Sequence, residues 1–266
     1  MAQPLFGQWK DVSKPVVGMI HLLPLPGSPR YAESVEAIRA AMLRDAEALT
    51  RGGVHGLMLE NFGDLPFFPG RVPAYVVAQM AALAAELRRD SNLPLGINVL
   101  RNDGCAAMAI AHAAGAQFVR VNVLCGARVA DQGIIQGIAH DLLRERAMLR
   151  ADVKIFADVD VKHSAALASR SLADEVSDTV DRGLADALIV SGSGTGRPTD
   201  PAHAREVRGA AGGVPVFIGS GVTAQTIAQY LADCDGFIIG SAFKRDGNVA
   251  QPVDPARVAA ILTRIQ

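Results

Sequence analysis

The chain has 266 residues, of which half are hydrophobic and a fifth are charged, and its formal net charge at pH 7 is -1. This size and composition fit one globular domain with a large core, because single α/β barrels commonly reach this length. The balanced charge provides no basic patch for nucleic acid or for an anionic membrane surface. The first residues lack a signal-peptide pattern and no apolar run could span a bilayer, so we expect a cytoplasmic protein.

Eight short apolar runs recur along the chain, each followed by a longer stretch of mixed polarity. The runs cover residues 16–20, 56–60, 95–99, 118–122, 154–160, 187–190, 215–219 and 236–240. Their β-branched and aromatic content is typical of parallel strands covered on both faces. With no sign of an antiparallel hairpin, they predict a (β/α)8 TIM barrel that forms a single domain over residues 1–266. The alternative is a doubly wound open sheet, which the long, proline-rich turn after the first run disfavours.

The stretches between the runs show the spacing of amphipathic helices. Apolar residues recur every three or four positions in three of them, at residues 35–49, 76–87 and 134–149. Thr223 is the predicted N-cap of a helix over residues 224–234, and Asp254 or Pro255 begins the last helix. Residues before Lys14 are expected to close the bottom of the barrel.

Glycine-rich turns follow the seventh and eighth runs, where barrels of this class often bind phosphate. Glycine lets backbone N–H groups approach an anion closely, and a helix that starts just behind adds further donors. We therefore predict a phosphate site, although glycine here also has a purely packing explanation. Its residues are Gly219, Ser220, Gly221, Gly240 and Ser241. Lys244 either adds positive charge or is solvated.

A third glycine-rich loop, residues 191–197, follows the sixth run. It contains neither a Walker A lysine nor a dinucleotide fingerprint. We expect this loop to be a wall or lid of the site, with Ser191 and Gly192 in contact with ligand.

Polar side chains occur at the ends of the other runs, where the active end of a barrel lies. Strand alternation places Asp158, Asp160 and Lys162 on one face, with His163 next in the loop. The remaining polar residues of this group are His21, Glu60, Asn98, Arg120 and Asn122. All of them are predicted to converge, with Asn98, Arg120, Asn122 and His163 lining the ligand.

These polar residues suggest proton-transfer chemistry. Arg120 needs a buried carboxylate, which Asp158 can supply as an orienting partner. Asp160, Lys162 and His21 are the leading acid–base candidates, with Glu60 and Asp158 beside them, although His21 could instead be structural. The carboxylates of Glu60, Asp158 and Asp160 could also bind a divalent cation, Mg or Mn, because such ions prefer oxygen ligands.

Several motifs resemble one known family across nearly the whole chain. They are Lys14 to Tyr31 (KPVVGMIHLLPLPGSPRY), GLMLENFGD from Gly56, NVLRND from Asn98, RVNV from Arg120, ADVDVKH from Ala157 and SGSGTG from Ser191. Together with the two phosphate-type turns, they resemble the BtpA/SgcQ family. The resemblance implies a phosphate-binding-type TIM barrel. The family takes its name from a cyanobacterial factor for photosystem I accumulation, and other members accompany sugar uptake and metabolism genes. The resemblance assigns no catalytic residues to this chain.

We expect an enzyme that acts on a phosphorylated sugar or nucleoside-type metabolite, as an isomerase, a lyase or a hydrolase. The alternative is a non-catalytic assembly or regulatory factor with a role like photosystem I biogenesis. The second loop, residues 61–73, is rich in Phe and Pro and forms either a lid or a subunit contact. A subunit contact is favoured, which predicts a homo-oligomer.

Overall fold

Eight parallel strands close a barrel in the computed structural model, which describes residues 4–192, 194 and 197–265. In spatial order they are β1 (Val16–His21), β2 (Gly56–Glu60), β3 (Leu95–Asn98), β4 (Phe118–Val121), β7 (Lys154–Val159), β9 (Ala187–Val190), β10 (Val216–Ile218) and β11 (Gly236–Ile239). β11 pairs with β1 and completes the ring. Each strand lies within or almost within a predicted run, so the TIM-barrel fold is confirmed.

Helices surround the barrel and cover its outer face. They are α1 (Val35–Gly52), α2 (Ala74–Asp90), α3 (Gly104–Ala114), α4 (Ala139–Met148), α5 (Leu172–Ser177), α6 (Pro201–Ala210) and α7 (Pro255–Leu262). The side chain of Asp254 accepts a hydrogen bond from the amide of Ala256 at 2.9 Å, which confirms the predicted start of the last helix. Among the described residues, no helix combines the length and apolarity that crossing a membrane requires.

The predicted helix over residues 224–234 is wrong. Only a short 3-10 turn, Ile227–Gln229, forms there. The amide of Thr223 donates to Thr226 Oγ1 at 2.9 Å, and that hydroxyl donates to the Gly221 carbonyl at 3.1 Å. Such local bonds compete with helical ones. Further on, the Tyr230 hydroxyl donates to the Thr199 carbonyl and holds the segment in place.

A small antiparallel sheet lies outside the barrel, although the sequence showed no sign of a hairpin. It consists of β5 (Ala127–Ala130), β6 (Gly133–Gln136) and β8 (Ser164–Ala166), with β5 in the centre. The predicted helix start at Ile134 is therefore wrong, and α4 begins at Ala139. Ile134 is exposed and Ile135 is buried, so the apolar residues alternate in the way a strand requires.

The lower part of the barrel interior is aromatic. Phe118, Phe156 and Phe217 point inward, and the Phe118 and Phe156 ring centroids lie 4.6 Å apart. Phe6 and Trp9 pack beneath them, with Trp9 6.0 Å from the Phe217 ring. The segment before Lys14 therefore closes the bottom of the barrel, as predicted.

One register step higher, the interior becomes polar. Strand pairing places His21 opposite Glu60, Glu60 opposite Asn98, and Asn98 opposite Arg120. Because every second residue of a strand points inward, the same alternation that buries Phe118 directs Arg120 into the mouth of the barrel. The carboxyl ends of the strands thus hold a polar layer above an apolar floor.

Candidate active site

Arg120 and Asp158 form a buried ion pair at the centre of the polar layer. Arg120 Nε and Nη2 each donate to Asp158 at 2.8 Å, and the two side chains are 3% and 0% exposed. Asn122 and Ser191 donate to the same carboxylate, at 2.9 and 3.0 Å. Both oxygens of Asp158 are thus occupied. The predicted pair is present, and Asp158 holds Arg120 in place.

Glu60 and His21 lie on the neighbouring strands. Asn98 donates to Glu60 Oε2 at 2.6 Å, whereas the other oxygen lies 3.7 Å from His21 Nε2. Burial, followed by the charges of Lys244, Lys162 and Arg120, keeps the pKa of His21 well below its usual value. His21 is therefore a neutral imidazole at pH 7, in which one ring nitrogen can accept a proton and the other carries one.

Two adjoining cavities open at this end of the barrel. The inner cavity, of about 40 Å³, lies between the two predicted phosphate turns and the polar layer. The outer cavity, of about 480 Å³, lies between the second loop and the β5–β6 hairpin. The residues that line both cavities are Glu60, Phe62, Arg120 and Lys162. The polar side chains of Glu60, Arg120 and Lys162 therefore lie at the junction of the two cavities.

Both glycine-rich turns line the inner cavity. All of the predicted phosphate residues are there: Gly219, Ser220, Gly221, Gly240 and Ser241. In the described part of the chain, no acceptor pairs with five amides on this wall, which belong to Ser220, Gly221, Val222, Ser241 and Ala242. A row of free amides lining a partly enclosed cavity favours an anion.

Glycine is required at two points of this wall by close contacts. Gly221 has φ +67°, and a Cβ there would lie 2.2 Å from the Cα of Pro198. A Cβ on Gly240 would lie 2.8 Å from Cε1 of His21. Any larger residue at either position would displace the neighbouring loop or the imidazole.

Lys162 carries the amino group at the junction. Among the described residues, its side chain makes no ion pair or hydrogen bond, and its backbone carbonyl accepts from Arg101 at 2.6 Å. Burial, with the charge of Arg120 adding to it, lowers the pKa of Lys162 to about 8. An amine with this pKa gains and loses a proton readily near neutral pH.

The prediction that Asp160 and Lys162 share one face is wrong. Strand β7 ends at Val159, and Asp160 has φ +51°, which breaks the alternation and turns its side chain outward. Asp160 is half exposed and pairs with Arg128, in a separate cavity from Lys162. The structure therefore separates Asp160 from Lys162 and His21.

Lys244 does not line the inner cavity, although its charge helps to lower the pKa of His21. Its side chain is 2% exposed and pairs with Asp45 of α1, behind the barrel wall. Asp45 also accepts from the amide of Val253 at 3.2 Å. The alternative of a solvated lysine is wrong, because Lys244 is buried against the carboxylate of Asp45.

Three residues predicted to line the ligand instead support other groups. Asn98 and Ser191 are hydrogen-bonded to Glu60 and Asp158, and neither lines either cavity. The amide of Gly192 donates to Ser220 Oγ at 3.1 Å. Asn122 and His163 do line the outer cavity. Positions 193, 195 and 196 of the predicted lid lie outside the described residues.

Several residues that line the outer cavity were not among the individual ligand-lining residues predicted from the sequence. Arg101 and Leu100 follow β3, Phe62 and Phe67 belong to the second loop, and Gln132 sits at the tip of the β5–β6 hairpin. Arg101 comes directly after a strand in a polar segment, the signal that singled out Glu60 and Lys162. No such signal marks Gln132, because its hairpin was not predicted.

The carboxylates considered as ligands for Mg or Mn do not converge. Asp158 is occupied by Arg120, and Asp160 faces Arg128 in a different cavity. In the part of the chain that the structure describes, no group of three His, Cys, Asp or Glu residues is arranged to hold a metal ion.

The model of the BtpA family matches residues 12–266. The chain belongs to the BtpA family. The photosystem I biogenesis protein BtpA of Synechocystis sp. is 46% identical over 248 residues, which cover 93% of this chain and 86% of that one. An uncharacterised protein of Thermococcus kodakarensis is also 46% identical, over 252 residues and 94% of each chain. The family resemblance of the sequence motifs is thereby confirmed.

Among solved structures, N-(5'-phosphoribosyl)anthranilate isomerase from Pyrococcus furiosus superimposes with a TM-score of 0.57. The match covers 95% of this chain and 98% of that one, at 12% sequence identity. This likeness shows a shared TIM-barrel fold, because function in this fold depends on the loops at the strand ends.

Proposed function

We propose that this protein is an enzyme that binds a phosphorylated sugar or nucleoside-type metabolite and moves a proton on it. The observation that carries this proposal is the inner cavity, whose lining includes Lys162, His21 and both glycine-rich turns, with amides that have no acceptor among the described residues. The amides would hold the phosphate, which fixes one end of the ligand against the polar layer.

The acid–base roles follow from the protonation states. His21 is neutral and next to Glu60, so it is the candidate base. Lys162, with its pKa of about 8, is mostly an ammonium at pH 7 and can donate a proton or stabilise a developing negative charge. Arg120, held by Asp158, adds a fixed positive charge. This set suits an isomerase, a lyase or a hydrolase that cleaves a C–O or C–N bond of the ligand.

Ligand binding is tested with ribose 5-phosphate, with ribose as the reference, by following the thermal unfolding temperature. A ligand that binds only the native state raises this temperature. Ser241→Asp places a carboxylate in the phosphate turn and is expected to abolish the rise. Ser13→Asp adds the same charge at an exposed position at the opposite end and is expected to preserve it. Equal behaviour of the two variants would count against the phosphate site.

A second candidate is a non-catalytic assembly factor, which the name of the Synechocystis relative favours. The two candidate functions differ in whether they require the side-chain amine of Lys162. If the protein is an enzyme, a gene that carries Lys162→Met fails to restore the wild-type phenotype to a deletion strain. A gene that carries Lys10→Met, at an exposed site, restores it. Full rescue by both variants would favour the assembly factor.

We also infer a homo-oligomer with cytoplasmic localisation. Phe68 and Tyr75 are each 46% exposed beside an apolar cavity between the first two loops. Exposed aromatic side chains in one patch are typical of a protein contact.

A divalent cation bound with the ligand remains a prediction, and titration with Mg²⁺ in the presence of ribose 5-phosphate tests it.

A further inference from the structure

Buried polar atoms without a hydrogen-bond partner cluster around the outer cavity. Within the described part of the chain, five buried side-chain atoms have no partner, and three of them belong to residues that line this cavity. They are Arg101 Nε, Asn122 Oδ1 and Gln132 Oε1. Leaving such an atom unpaired costs free energy, so a cluster around one cavity points to a ligand that pairs with it.

The other end of each side chain is already fixed. Asn122 donates its amide nitrogen to Asp158, Gln132 donates to Asp131 at 2.6 Å, and Arg101 donates one Nη to Lys162. Among the buried atoms of these three side chains, those without a partner are two carbonyl oxygens and one N–H. A ligand that satisfies them carries hydrogen-bond donors and an acceptor on its polar edge.

The rest of the outer cavity is apolar. Phe62, Leu65, Phe67 and Leu100 line it, and the Phe62 ring lies 6.5 Å from the Phe67 ring and 4.7 Å from the His21 ring. A sugar phosphate alone would leave this wall in contact with water. A planar heterocycle has apolar faces for the aromatic rings and a polar edge for the unpaired atoms.

We propose that the outer cavity binds the base of a nucleoside 5'-monophosphate whose phosphate lies in the inner cavity. This inference rests on the phosphate site proposed above and narrows the substrate class from phosphorylated sugars or nucleoside-type metabolites to nucleoside 5'-monophosphates. The sugar then lies at the junction of the two cavities, next to Glu60, Arg120 and Lys162, which line both.

Isothermal titration calorimetry tests the proposal with ribose 5-phosphate and the 5'-monophosphates of adenosine, guanosine, cytidine and uridine. At least one nucleotide is expected to bind about tenfold more tightly than ribose 5-phosphate, since stacking of a base on an aromatic side chain gives a factor of this order. Gln132→Ala should lower the affinity for that nucleotide about threefold to tenfold, as the loss of one neutral hydrogen bond does. The same variant should leave the affinity for ribose 5-phosphate unchanged. Gln251→Ala, at an exposed position, is the matched control.

The possible failures are distinguishable. If ribose 5-phosphate binds but no nucleotide binds more tightly, the base subsite is refuted and the phosphate site stands. The same conclusion follows if Gln132→Ala weakens ribose 5-phosphate and the nucleotide alike. If neither ribose 5-phosphate nor any nucleotide binds, the phosphate site fails, and the base subsite fails with it.

Discussion

Replacing Asp158 by Asn tests the central ion pair of the polar layer. The variant keeps the shape of the side chain but removes the charge that compensates Arg120, whose side chain is 3% exposed. Removing one partner of a buried pair costs about 3–5 kcal/mol, because the remaining charge is left in a low-dielectric interior. Asp158 also accepts from Asn122 and Ser191, so the substitution disturbs two further bonds.

The assay is thermal and chemical unfolding of wild type, Asp158→Asn and Asp160→Asn. At about 2 °C per kcal/mol for a chain of this length, Asp158→Asn should lower the unfolding temperature by about 6–10 °C. Asp160→Asn makes the same chemical change two residues away, in a side chain that is 50% exposed, and should cost about 1 kcal/mol or less.

A second substitution separates the charge from the packing. Adding Arg120→Met to Asp158→Asn removes the uncompensated charge and should recover part of the lost stability. Equal destabilisation by Asp158→Asn and Asp160→Asn would refute the reasoning, and so would a double variant less stable than Asp158→Asn alone.

Three further outcomes are expected. Lys244→Met removes the buried cation that pairs with Asp45, so the free energy of unfolding in urea should fall by up to about 3–5 kcal/mol, and no loss would contradict the buried pair. Because the lowered pKa of Lys162 means that its charge is lost as pH rises through about 8, affinity for ribose 5-phosphate should decline between pH 7 and 9. Lys162→Met should flatten that decline, and an unchanged profile would exclude the role. Phe68→Ser should shift the oligomer toward monomer in light scattering, whereas an unaltered mass would place the subunit contact elsewhere.

The apolar runs of the sequence were sufficient to predict the barrel. A parallel strand covered on both faces must be apolar over its whole length, and eight such runs leave few other arrangements. The same local rule located most of the polar layer, because Arg120 continues the alternation that buries Phe118. The Arg120–Asp158 pair followed from the cost of an isolated buried charge.

Only the tertiary structure decided which polar residues face the cavities. The direction of Asp160 depends on a single positive φ just after a strand, and no sequence periodicity encodes that value. Lys244 turns toward Asp45, which lies 199 positions away in the sequence. The β5–β6 hairpin brings Gln132 over the outer cavity through pairing with β8. Repeating patterns specify which elements form, whereas contacts between distant segments determine which side chains share a site.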